Sequence, residues 1–155
     1  MSEPDHPDVV APPVAIHLGF VLLGAGAEYL WPSGAGQDGI AWYAAGAAAI
    51  AAGLLFIVWA GLAFRSRGTR PEPWKPTTAI VVSGPYHFSR NPMYLALGVI
   101  HVGIGIAAGS IWIIVTVFPA LVVLRYGVIA REERYLEAKF GDTYLRYKRI
   151  VRRWL

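Results

Sequence analysis

The chain has 155 residues, 55% of them hydrophobic and only 15% charged, where soluble domains average about 25% charged residues. Its mean hydropathy of +0.45 reads as a membrane protein, and its length suits a single domain, 1–155. The absence of cysteine excludes disulfides, a thiolate nucleophile and a Cys-ligated metal, and no metal site is expected. The net charge of +4 is unevenly placed, because all 14 Lys and Arg residues lie at or after Arg65.

In chain order, "MSEPDHPD" is acidic and carries no positive region. That argues against a cleaved secretory signal, although Ala25–Ala27 imitate a cleavage site. The first apolar segment runs from about Val14 to Leu30 behind Pro12-Pro13, and the second from about Ile40 to Phe64. The second is long enough to span a bilayer with some tilt, since roughly 20 residues cross the hydrocarbon core. Between them "WPSGAGQDG" reads as a turn, and its one charge, Asp38, suits the outer side. Ala41, Ala45, Ala49 and Gly53, with Gly46, form a stripe of small residues that lets helix backbones approach closely. Gly105 and Gly109 repeat the spacing. No strand pattern accompanies these glycines, so packing explains them better than nucleotide binding.

The loop from Arg65 to Arg90 holds Pro71, Pro73, Pro76 and Pro85, so it is not a continuous helix. It is longer than an ordinary helix connection, and long structured loops are often functional. From Asn91 to Leu124 no residue is formally charged. "AAGS" divides this stretch into two short helices, about Pro92–Ala107 and Ile111–Ala130, a hairpin that either crosses the bilayer or dips into it. Four crossings place both termini on the side of the basic loop and tail, the cytoplasmic side under the positive-inside rule.

The tail predicts two more helices. The first continues through "REERYLEAKF"; Gly141 stops it and Asp142 caps the next. In the last, Tyr144, Tyr147, Val151 and Leu155 share a face, and Arg146, Arg149, Arg152 and Arg153 occupy much of the rest. Such a helix can lie in the headgroup layer with Trp154 as anchor, which makes membrane lipids the expected partner rather than nucleic acid. The expected fold is therefore an all-α integral membrane protein: four apolar helices, the last two a short hairpin, plus cytoplasmic C-terminal helices.

Two polar clusters are candidate sites. The first is Tyr86, His87, Arg90, Asn91 and Tyr94, where Asn91 suits an N-cap and Pro92 the first helical position. A helix N-terminus attracts carboxylate or phosphate, and Arg90 reinforces that attraction. The plainer reading is a helix cap beside a snorkelling arginine. The second cluster is Arg131, Glu132, Glu133, Arg134 and Glu137. Adjacent Glu132 and Glu133 point about 100° apart on a helix, so at most one is expected to face a pocket; the plainer reading is a solvated helical turn. His17, Glu28 and His101 are ionisable groups inside apolar segments, positions that are costly and often functional.

The two clusters together, "GPYHFSRNPMYL" and then "REERYLEAKFGDTYLRYKRIVRRW" after an apolar hairpin, resemble the isoprenylcysteine carboxyl methyltransferase and phospholipid methyltransferase superfamily. The resemblance covers about 77–154. It implies an integral membrane enzyme that uses S-adenosylmethionine and releases S-adenosylhomocysteine. It also implies that Tyr86, Arg90, Pro92 and Tyr94, with the surrounding His87, Asn91 and Met93, help form the cofactor site. Glu132 and Glu133 belong to it on the same ground, with Glu133 favoured for the cofactor's amino or ribose groups, and Tyr144 and Tyr147 close it. Family members acting on prenylated cysteine typically carry His where Asn91 stands, which sets this chain apart on acceptor rather than on cofactor.

The expected function is methyl transfer from S-adenosylmethionine to a lipophilic or lipidated acceptor at the cytoplasmic membrane face, the inner membrane if the chain is bacterial. Arg90, Glu133 and His101 are the expected catalytic residues. Arg90 or Arg125 would orient a carboxylate acceptor; His87, His101 or a Glu would take the proton of an amine acceptor. The rivals are a small transporter or channel built on His17, Glu28 and His101, and a non-catalytic scaffold whose basic tail binds anionic lipid.

Overall fold

The structure is a computed structural model that describes residues 5–35, 39–72 and 74–155. Asp38 of the outer turn and Pro73 of the long loop lie outside the described residues. Among the described residues all regular structure is helical. Helix α1 (Pro13–Leu30) and helix α2 (Ile40–Ser66) are each long and apolar enough to cross a membrane. A single 3₁₀ turn (Gly84–His87) precedes α3 (Pro92–Ala108), which is apolar but shorter. A third span of membrane-crossing length, Ile111–Phe140, runs through four pieces. These are α4 (Ile111–Val115), α5 (Val117–Leu124), a π-helical segment (Arg125–Ile129) and α6 (Ala130–Phe140). Helix α7 (Asp142–Ile150) completes the chain. Large side chains such as Leu22, Leu55, Val58, Phe118 and Val122 stand exposed on the outside of the bundle, as lipid-facing residues do. The chain is an all-α membrane protein.

The break at "AAGS" is a Schellman motif. Gly109 takes φ 59°, Ser110 N–H donates to Gly105 O at 3.0 Å, and Gly109 N–H donates to Ile106 O at 3.1 Å. Ser110 then caps α4 by accepting from Ile113 N–H at 3.2 Å. Its hydroxyl also donates to Glu28 Oε2 at 2.7 Å, and Glu28 Oε1 accepts from Ser33 N–H and Ser33 Oγ at 2.7 and 3.0 Å. Glu28 therefore clasps the α1–α2 turn to the tip of the hairpin. The α4–α5 interruption follows from Pro119, which has no N–H and whose ring crowds the carbonyl four residues back, Val115.

Close packing of α2 on α3 depends on small residues, and part of the expected stripe supplies them: Gly46, Ala49 and Gly53 face α3, Ala49 against Gly103. Ala41 and Ala45 are exposed, whereas Gly46, Gly53 and Ala60 are buried. Their seven-residue spacing keeps one seam in contact where a spacing of four would drift around the helix. A Cβ on Gly46 would lie 2.5 Å from Ala107 N, and one on Gly53 would lie 2.9 Å from Ala96 O. Gly105 serves another contact, against Ile114 of α4.

The tail also differs in detail from expectation. Gly141, at φ 51°, occupies the cap position and Asp142 is the first residue of α7, so its carboxylate acts on the helix dipole without capping. Leu155 lies beyond α7 and is exposed. Asn91 sits at the N-cap position of α3, but its side chain makes no cap bond; Nδ2 donates instead to Arg153 O at 2.9 Å. The basic loop and the tail thus meet at one end of the bundle. They are further joined by Arg90 N–H to Arg152 O at 3.0 Å and Ser89 Oγ to Arg153 O at 3.2 Å.

Candidate active site

At that end lies a cavity of about 320 Å³, within the usual range of ligand pockets. Val14, Ile57 and Leu97 from three helices give it apolar walls. Its polar lining includes Arg90, Asn91, Glu132 and Glu133, with Tyr144 and Tyr147 of α7 beside them. The π segment explains how α6 contributes. An inserted residue rotates α6 by about 100° relative to α5, and α6 presents Glu132, Glu133, Tyr135 and Leu136 to the cavity. Both glutamates line it, contrary to the expectation that only one would. The cavity is bordered by the proline-rich loop and by α7 as well as by α6.

The two carboxylates have different partners. Glu132 Oε1 accepts from Tyr94 Oη at 2.6 Å. Glu133 is buried and held by two arginines: Arg153 donates from Nε to Oε1 at 3.0 Å and from Nη2 to Oε2 at 2.6 Å, while Arg90 Nη2 lies 3.2 Å from Oε1. The Arg90 side chain is only 7% exposed, and its Nε and Nη1 are buried without a hydrogen-bond partner among the described residues. Buried guanidinium donors left unpaired cost free energy, and an acceptor that reached them would offset it. The start of α3 adds little to that: Pro92 has no N–H, and the N–H groups of Tyr94 and Leu95 already bond to Asn91 O.

Tyr147 Oη donates to Tyr86 O at 2.7 Å and locks α7 over the 3₁₀ turn. Tyr86 packs edge-on against Phe64 at 5.2 Å. Burial pushes the phenols of Tyr86, Tyr144 and Tyr147 well above their ordinary values. They stay neutral and offer ring faces and hydroxyls rather than phenolate. Met93 also lines the cavity, and Pro92 is buried at the start of α3 outside it.

Two expected residues lie elsewhere. His87 is exposed, its ring edge-on to Phe88, and does not line the cavity. His101 is buried one to two turns deeper, on the Tyr94–Leu97 face of α3, with Nδ1 3.0 Å from His17 Nδ1 and Nε2 3.0 Å from Ile113 O. Ile113 O can only accept, so His101 Nε2 carries the proton and His17 Nδ1–H donates to His101 Nδ1. The three groups on which an ion path would depend, His17, Glu28 and His101, are engaged in contacts that hold the bundle together. Arg125 also stays outside the cavity, over the ring of Tyr126.

Sequence reading missed two walls and one supporting side chain. The segment before α1 runs along α6: Val10 N–H donates to Gly127 O at 3.2 Å, Arg131 donates to Asp8 O at 2.7 Å, and Tyr135 Oη donates to Asp5 O at 3.1 Å. It brings Pro7 and Pro12 to the cavity. The proline-rich loop adds Arg70, Glu72 and Trp74, with Glu72 Oε1 bound to Lys75 at 2.8 Å. Arg153 does not line the cavity but holds Glu133 from the chain end. Asp5 and Asp8 of acidic "DHPD" pair with Lys139 and Arg131 of α6, but nothing in linear order predicts it.

Comparison with known proteins decides the family. A family model described as phospholipid methyltransferase matches residues 41–143. The chain belongs to the phospholipid methyltransferase family. That match spans α2, the proline-rich loop, α3 and the whole Ile111–Phe140 span, and so includes both glutamates and Arg90. A protein of Haemophilus influenzae described only as uncharacterised is 48% identical over 65 residues, which are 41% of this chain and the full length of that relative. No solved structure matches the chain. The family assignment makes the chain a membrane methyltransferase acting on lipid-like substrates.

Proposed function

We propose that the cavity binds S-adenosylmethionine at its polar residues and receives the lipophilic methyl acceptor along its apolar walls, on the cytoplasmic side of the membrane. The observation that carries this is the pairing of a buried, half-unpartnered Arg90 with the Glu132 carboxylate across one aromatic-walled cavity. The cofactor's amino-acid end carries both charges such a site would hold: a carboxylate for Arg90 Nε and Nη1, and an ammonium for Glu132. Glu132 suits this role better than Glu133, whose two oxygens are already held by Arg153 and Arg90.

The residues present fit the group. When bound, S-adenosylmethionine supplies a methyl carbon made electrophilic by a sulfonium. The chain's contribution is to align donor and acceptor and to exclude water, which is where most of the rate advantage in such a displacement arises. Tyr86, Tyr94 and Tyr144 present ring faces on which a cationic sulfur or a purine is favourably placed. Val14, Ile57 and Leu97 give the cavity apolar walls that favour an acyl or prenyl chain. Basic residues cluster at this end of the bundle, which supports its assignment to the cytoplasm.

Calorimetric titration of the detergent-purified protein with S-adenosylhomocysteine tests the reading. Saturable binding that is lost in Glu132→Gln supports it. A folded protein with no binding in several detergents would return the chain to a non-catalytic role.

A further inference from the structure

Glu133 is shared unequally by its two arginines. Arg153 takes it as a fork, with one nitrogen on each oxygen at 3.0 and 2.6 Å. Arg90 touches it at one point, Nη2 to Oε1 at 3.2 Å. Arg90 and Glu133 are buried, with side-chain exposures of 7% and 8%, and Arg153 is partly buried at 25%. A guanidinium beside a desolvated carboxylate favours the two-bond arrangement, and Arg90 has two further donors, Nε and Nη1, that bond to nothing among the described residues. What denies Arg90 that arrangement is Arg153, which already covers both oxygens.

The backbone holds this geometry in place. Arg90 N–H donates to Arg152 O, while Ser89 Oγ and Asn91 Nδ2 both donate to Arg153 O. Residues 89–91 and 152–153 are thereby laced together although they lie far apart in sequence, and the two arginines emerge side by side onto one carboxylate.

We propose that Arg153 is a positioning residue. By occupying both oxygens of Glu133, it prevents Arg90 from closing on the same carboxylate and keeps two Arg90 donor nitrogens, Nε and Nη1, unpaired and able to take an anion from the cavity. This rests on Arg90 holding the cofactor's carboxylate. Glu133, in turn, orients Arg90 and is not a ligand for the cofactor. Without Arg153, Arg90 turns onto Glu133 and the anion site is quenched from within.

The test compares two nucleosides on the full-length protein. S-adenosylhomocysteine carries the amino-acid carboxylate; 5′-methylthioadenosine has the same nucleoside and thioether without it. Arg153→Gln is expected to weaken S-adenosylhomocysteine by about tenfold or more, the scale of a lost charge-assisted pair, while 5′-methylthioadenosine changes little. Arg153→Gln combined with Glu133→Gln is expected to recover most of the affinity, because Arg90 then has no carboxylate to close on. Arg153→Lys, which keeps the charge but makes a point contact, should fall between and guards against loss of folding in the glutamine variant. Equal weakening of both nucleosides, or no recovery in the double variant, would mean that Arg153 only braces the chain end and would overturn the inference. If the wild-type protein binds neither nucleoside, the cofactor reading fails first, before any variant is compared.

Discussion

The Tyr94 hydroxyl donates to Glu132 Oε1 at 2.6 Å, linking the first turn of α3 to the first turn of α6. This bond fixes a carboxylate at the cavity wall and leaves its second oxygen available to a ligand. Glu132→Gln should lower S-adenosylhomocysteine affinity at least about tenfold, since hydrogen bonds to charged groups contribute roughly 1.5–3 kcal/mol. Tyr94→Phe should cost less, because it removes one bond to the carboxylate and leaves the carboxylate itself in place. Isothermal calorimetry on both variants checks the order; a larger loss in Tyr94→Phe would contradict it.

Asn91 acts on the chain end rather than on its own helix. Its Nδ2 and the Ser89 hydroxyl share Arg153 O. A histidine in its place puts a ring N–H at nearly the same distance from the backbone, so Asn91→His should fold and bind normally. Asn91→Leu removes a partly buried hydrogen bond and should cost about 1 kcal/mol or somewhat more. Thermal unfolding in detergent distinguishes the two.

The α2–α3 seam tolerates no added atom. Gly46→Ala would place a Cβ 2.5 Å from Ala107 N, and Gly53→Ala would place one 2.9 Å from Ala96 O, both against backbone. Each should destabilise by about 1–3 kcal/mol through overpacking. Gly61→Ala meets nothing within 4 Å and serves as the control on the same helix. Its melting temperature should match or exceed that of wild type.

His101→Ala separates a structural from a catalytic role. It leaves His17 Nδ1 without its partner at 3.0 Å, and an unmade buried hydrogen bond costs about 1–3 kcal/mol. We expect lower thermal stability with S-adenosylhomocysteine affinity within about twofold of wild type. A strong loss of affinity at unchanged stability would place His101 in the site after all.

Gly127 holds the N-terminal wall of the cavity. Its Cβ, if present, would lie 2.5 Å from a Val10 methyl, and the ion pairs of Asp5 and Asp8 along α6 are too exposed to hold the segment by themselves. Gly127→Val should release residues 5–11, seen as faster amide exchange and proteolysis there, with little change in α3 or α5.

Much of this protein was legible in its residues alone. Apolar runs of the right length, interrupted by Gly and Pro, determined how many long helices form and where the hairpin turns, because in lipid every backbone group must be satisfied within its own segment. The Schellman break at "AAGS" and the Gly141 stop were readable for the same local reason. The pairing of "GPYHFSRNPMYL" with "REERYLEAKF" pointed to the family without any tertiary contact. Which oxygen meets which nitrogen was not readable. Ala41 and Ala45 fell outside the α2–α3 seam, both glutamates reached one cavity, and Asn91 turned away from its helix. Each outcome depends on groups that lie far apart in sequence and meet only after the bundle closes. Periodicity and capping are set by neighbours within about one helical turn. The division of Glu133 between Arg90 and Arg153 is set by tertiary packing, and only the folded chain decides it.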